Sequence, residues 1–160
     1  MRHGKSDWDT DAPNDHARPL SKRGWREAPK VAARLLELGW RPERVVSSDA
    51  QRTQDTYRCL AQVMGEGLPL ALTRELYLPS AEAVRSVVGQ LSSDTWTALL
   101  LGHNPGFEEA LQWLTGVEEV LKTSSAALLE APDVAWPAAV TRPGGFTLVT
   151  VVRAKALGGG

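Results

Sequence analysis

Four basic side chains stand out for what they could do together: Arg2, His3, Arg52 and His103. A neutral imidazole nitrogen is a nucleophile toward phosphorus, and a planar guanidinium can hold two phosphate oxygens at once. In Arg2-His3-Gly4 the two groups are adjacent, and the glycine lets the backbone turn sharply. The same triplet also occurs by chance in solvated tails, so its context decides. Arg52 falls in the first turn of a predicted helix, where the dipole favours anions over cations. It fits there if an anion lies between its guanidinium and the helix end. Otherwise it is a solvated surface residue. His103 lies in Gly102-His103-Asn104-Pro105-Gly106, directly after an apolar run.

The elements that must position these residues can be read from periodicity. Residues Asp7 to Pro19 are polar and read as a loop that could fold over a site at His3. Ser21 is a plausible N-cap for a helix over Lys22–Leu38, with an apolar stripe at Trp25, Ala28, Ala32, Leu35 and Leu36. Pro29 inside it predicts a kink or a split. Val45-Val46 centres a short buried strand, followed by a helix over Ala50–Met64. Leu68–Leu72 reads as a strand, and Arg74–Pro79 as a connection. Ser80 caps a third helix. Thr97–Leu101 is apolar without alternation, as expected of a strand covered on both faces. A fourth helix follows and ends at Gly116. Lys122–Glu130 and Phe146–Val152 read as late strands, Val134–Pro143 as irregular, and Ala156–Gly160 as a frayed tail.

Strands alternating with helices predict an α/β sandwich with a mostly parallel central sheet. His3, Arg52 and His103 each stand near a strand end, so such a sheet gathers them at one edge. Two histidines and two arginines there make a cationic pocket suited to a phosphoryl group, whose transition-state charge spreads over three oxygens.

Composition bounds the remaining possibilities. At 160 residues, 42% hydrophobic and 23% charged, the chain predicts one globular domain, here taken as 1–157 with a tail at 158–160. Its net charge of −1 gives no general attraction to nucleic acid or to an anionic membrane. No apolar run approaches the ~20 residues of a membrane helix. Cys59 is the single cysteine and sits in an apolar helical pattern, as a core thiol rather than a reactive one. The two histidines lack an Asp or Glu at ligand spacing, which disfavours a metal site.

Taken with its order along the chain, this set resembles the histidine phosphatase superfamily, and within it the SixA-type phosphohistidine phosphatases. The matching blocks are Arg2 to Trp8, Arg18 to Gly24, Val46 to Thr53 and Gly102 to Gly106, with Lys122 to Ala126 similar to the family's late strand. The resemblance implies a phosphoglycerate mutase-like fold with no cofactor. It implies His3 as nucleophile, forming a phosphohistidine intermediate, and Arg2, Arg52 and His103 as ligands of the phosphoryl oxygens. Glu75 stands where many members carry a general acid, and an ordinary solvated role is equally open to it. Arg18 lines the pocket mouth or forms a structural ion pair. The implied substrate is a phosphohistidine protein in cytoplasmic signal transduction, met by a monomer. The short connections predict an open site. A small-molecule phosphomonoesterase and a non-catalytic phosphate-binding module are the alternatives.

Relatives carry an apolar strand just before Arg-His-Gly, whereas only Met1 precedes Arg2 here. The expectation is therefore a missing first strand and a truncated or misassigned start; if the chain begins at Met1, a less stable fold with a poorly anchored His3 is expected.

Overall fold

Val45 and Val46 lie at the middle of β1, Arg44–Ser48, where Val45 is fully buried. The computed structural model describes residues 1–158. β1 pairs in parallel with β2, Leu70–Thr73, on one side and with β3, Ala98–Leu101, on the other. The sheet order is β2-β1-β3. A separate antiparallel pair joins β4, Ala126–Glu130, to β5, Thr147–Val152. Helices α1, Lys22–Glu37, and α2, Gln51–Met64, pack on each other, as do α3, Ala81–Gly89, and α4, Gly106–Thr115. This is the predicted α/β architecture with a parallel sheet flanked by helices.

Several local expectations are corrected. α1 runs unbroken through Pro29. The ring removes the bond to Trp25, but Ala28, Val31, Ala32 and Leu35 bury one face, and that packing outweighs the lost bond. Trp25 is exposed rather than part of the stripe. The Arg74–Pro79 connection holds a 3-10 turn, and a short helix, α5 (Trp136–Ala139), forms in the stretch read as irregular. Ala154–Leu157 forms another 3-10 turn with Leu157 against the core, so Ala156 and Leu157 are not frayed. Gly159 and Gly160 of the expected tail lie outside the described residues.

Among the described residues no strand precedes α1, as expected, but the expected poor anchoring of His3 is corrected. Residues 1–3 occupy a ladder position between β3 and β4. The Met1 amine donates to the Leu100 carbonyl at 2.7 Å, and Gly102 N–H donates to the Met1 carbonyl at 3.1 Å. On the other side Arg2 N–H donates to Ser125 at 3.0 Å, and the His3 carbonyl accepts from Ser124 at 2.9 Å. His3 N–H also donates to Gly102, so His3 is firmly anchored from both sides. Three residues do the work of a strand only at the end nearest His3. Beyond Met1, β3 and β4 are not paired with each other and flank an apolar cleft. Its walls include Leu35, Leu99, Phe107, Leu111, Ala127 and Leu129. That opening is why Ala98, Leu99 and Leu100 are only partly buried, against the expectation of a strand covered on both faces.

Candidate active site

Each site residue sits where a strand hands over to a loop or helix. His3 ends the three-residue segment. Arg52 lies in the first turn of α2, just after β1. His103 follows β3 and precedes α4. The close packing around these turns requires glycine at two points. A Cβ on Gly24 would strike the Lys5 carbonyl, and one on Gly106 would overlap the Pro79 carbonyl. The first keeps α1 against the turn after His3, and the second keeps α4 against the segment carrying Tyr77.

Arg2, His3, Arg18, Arg52 and His103 all line one pocket, together with Lys5, Asn104 and Thr123. The His3 and His103 rings lie 5.0 Å apart. His3 is 6% exposed, and its Nδ1 lies 2.6 Å from the Gly4 carbonyl. A carbonyl only accepts, so Nδ1 carries the proton and Nε2 keeps its lone pair. His103 Nδ1 accepts from Arg52 Nη2 at 3.3 Å, which places its proton on Nε2, donated to Ser48 Oγ at 2.8 Å. Both rings are thereby held neutral. Burial, with the neighbouring Arg52 and Arg2 charges, pushes each imidazole down to about 3, and for His103 the His3 ring adds to this.

Arg52 is 2% exposed, which rules out the solvated-surface reading of that residue. Its Nη1 donates to the Asp15 carbonyl at 2.8 Å and its Nη2 to the Asp15 carboxylate at 3.1 Å. Arg2 Nη1 donates to the Leu121 carbonyl at 3.0 Å. The Nε–H groups of Arg2 and Arg52 are buried without a partner among the described residues.

Arg18 fits both of its expected roles. It lines the pocket, donates to Asp15 at 3.0 Å and to Ser6 Oγ at 2.7 Å, and lies 3.6 Å above the Trp8 ring. Glu75 is exposed on the 3-10 turn and is not among the pocket-lining residues. Cys59 is fully buried, and burial pushes its thiol up to about 11, so the thiolate is disfavoured.

Sequence reasoning missed Asp15, Tyr77 and Ser48. Asp15 takes hydrogen bonds from Tyr77 Oη at 2.6 Å, from Arg18 and from Arg52. Led by the Tyr77 bond, these hold its carboxyl well below the usual carboxylate range. The one available signal was its position three residues before Arg18, which allows a local pair. Ser48 orients His103, and a serine at the end of a buried strand carries no such signal.

Residues 1–77 match the model of the histidine phosphatase superfamily (branch 1). An uncharacterized chloroplastic protein of Arabidopsis thaliana is 38% identical over 166 residues, covering 95% of this chain and 75% of its own length. With that relative and the family match, the chain belongs to the histidine phosphatase superfamily. Its fold matches the protein histidine phosphatase SixA in complex with tungstate, with a TM-score of 0.84 at 20% identity over 99% of this chain and 97% of that one. A mycobacterial glucosyl-3-phosphoglycerate phosphatase in complex with VO3 is less similar, with a TM-score of 0.67 at 17% identity over 93% and 95% of the two chains. The family assignment supports phosphatase activity.

Proposed function

We propose that the protein removes phosphate from protein phosphohistidine, with His3 as nucleophile and Arg2, Arg52 and His103 around the phosphoryl oxygens. His3 Nε2 attacks phosphorus with its free lone pair. The P–N bond to the substrate imidazole breaks, and the bonding electrons leave with that ring. Water then attacks the phosphorus on His3, the second P–N bond breaks, and inorganic phosphate departs. Arginines aimed at the phosphoryl oxygens stabilise both displacements, because charge develops on those oxygens.

One observation carries the choice of substrate. Asp15 is the carboxyl group lining the pocket among the described residues, and the Tyr77 hydrogen bond, with its Arg18 and Arg52 partners, keeps it ionised. It has no proton to give a leaving group. An alkoxide leaving from phosphorus needs one, whereas an imidazole protonated on its other nitrogen leaves as a neutral ring. The pocket therefore favours a P–N substrate over a phosphate ester. The SixA fold match is consistent with this reading.

Turnover of a phosphohistidine protein, measured beside a panel of sugar and nucleotide phosphates, tests the proposal. The expected result is preference for phosphohistidine, with an acid-labile phosphoenzyme that His3→Ala abolishes. Turnover of the esters alone would overturn it. A chain that binds phosphate equally well with and without His3, and turns over nothing, would be a phosphate-binding module instead.

A further inference from the structure

Two large apolar side chains are exposed in the lining of a pocket otherwise rich in charge. Trp8 is 73% exposed and Leu78 is 55% exposed, and both line the cavity that holds His3 and Arg52. Neither belongs to an apolar core cluster of the protein. Solvent exposure of an indole loses the stabilisation that burial would give it, so its placement beside the reactive histidine calls for a reason. Leu78 adds a second oddity. Its φ is +43°, a left-handed backbone conformation that a leucine adopts only at a cost of order 1–3 kcal/mol.

Both side chains are tied to the phosphoryl site through Asp15. Its carboxylate receives Arg52, the guanidinium beside His103. It also receives Arg18, whose other face lies over Trp8. Its third donor is Tyr77, the residue preceding Leu78. One carboxylate thus fixes the positions of the phosphate clamp and of both exposed apolar groups relative to each other.

We infer that Trp8 and Leu78 form a subsite for the leaving group, and that this subsite takes a flat ring, the imidazole of phosphohistidine. The inference rests on the phosphohistidine reading above and deepens it. With the phosphoryl group held at His3, the group leaving from phosphorus must extend toward the open part of the pocket. An aromatic face and an aliphatic side chain there favour a ring over a flexible alkyl chain or water. Asp15 acts as a positioning residue for this subsite.

Binding to the His3→Ala protein, measured by calorimetry, separates the inference from the turnover reading. The expected result is that a phosphohistidine peptide binds about tenfold more tightly than phosphoramidate, which carries the same P–N group without a ring. Trp8→Ala removes about fivefold of that advantage and Trp8→Phe keeps most of it, as ring stacking of ordinary strength requires. Leu78→Ala reduces it more modestly. Phosphoramidate and orthovanadate bind all of these variants within twofold of one another. No ring advantage, or an equal loss for both ligands in Trp8→Ala, overturns the subsite. A ring advantage that depends on Trp8 in a protein that fails to turn over phosphohistidine would keep the subsite and sink the proposed reaction.

Discussion

Two cavities with opposite chemistry meet at the first three residues. Met1 lines an apolar cleft, while Arg2 and His3 line a cationic pocket. Both open along β3, the cleft beside Ala98 to Leu100 and the pocket beyond its end at His103. The pocket is fixed by directional bonds. Every imidazole nitrogen in it that bears a proton has an acceptor, and Arg52 is held at both terminal nitrogens. The cleft is walled mainly by aliphatic and aromatic side chains, and β3 and β4 on its two sides are not paired with each other. The comparison shows that a site can be tightly organised at one end of a sheet whose other end is left open, because a few ladder bonds at Met1, Arg2 and His3 suffice to set the reacting groups.

The pocket's organisation is best broken at Arg52. Arg52→Ala removes the phosphoryl ligand proposed above and leaves Asp15 with one partner fewer. The expected loss in kcat/KM is about 10²–10³-fold, as for removal of a preorganised charge donor, read by steady-state kinetics. A loss under tenfold would mean that Arg52 serves Asp15 rather than substrate.

The cleft is next, and two leucines on one strand probe it. Leu101 is fully buried, so Leu101→Ala costs about 2–5 kcal/mol in urea unfolding. Leu99 lines the cleft and is already partly exposed, so Leu99→Ala costs about 1 kcal/mol. Equal losses would show that the cleft is closed in solution. Filling it sharpens the contrast further. A short apolar segment of β-branched residues joined ahead of Met1 raises Tm by about 5 °C, as a net gain of one or two kcal/mol implies for a chain this size, and leaves activity unchanged. A polar segment of equal length does not raise Tm. No change with the apolar segment would count against a strand-shaped opening.

Acid separates the two regions by charge. His3 and His103 are held near 3, below the ordinary histidine value of about 6.5. Between these values the unfolded chain binds more protons than the folded one, so stability is fully present above about pH 6.5 and is lost as pH falls toward 3. Chemical unfolding at pH 7 and pH 5 should show that decline, and His103→Asn should flatten it. A slope that His103→Asn leaves unchanged would assign the acid sensitivity elsewhere, with the buried Met1 amine, pushed by burial down to about 5, as the next group to remove.

The convergence of Arg52 and His103 was legible because each follows a strand signal, and parallel strands bring such ends to one edge; His3 has no such signal, since only Met1 precedes Arg2, and it joined them through the family resemblance. The 3.6-residue periodicity of α1 and α2 was legible for the same reason that it packs: one face is apolar. What sequence did not reveal depends on partners distant in the chain. Asp15 lies in a loop without periodicity, and its meaning comes from Tyr77, 62 residues away. The continuity of α1 through Pro29 reflects tertiary burial that local propensity cannot see. Glu75 had the right chemistry in the right region, yet a 3-10 turn leaves it exposed and outside the pocket lining.

The amine of Met1 donates to Leu100 from inside the fold, and its residue borders the apolar cleft. An affinity handle attached there would not dangle from the surface. Its first residues would have to thread out between β3 and β4, and a hydrophilic handle would wedge charged or amide groups among Leu99, Phe107 and Ala127. Production of the protein with its handle at the opposite terminus leaves the space between β3 and β4 free of it.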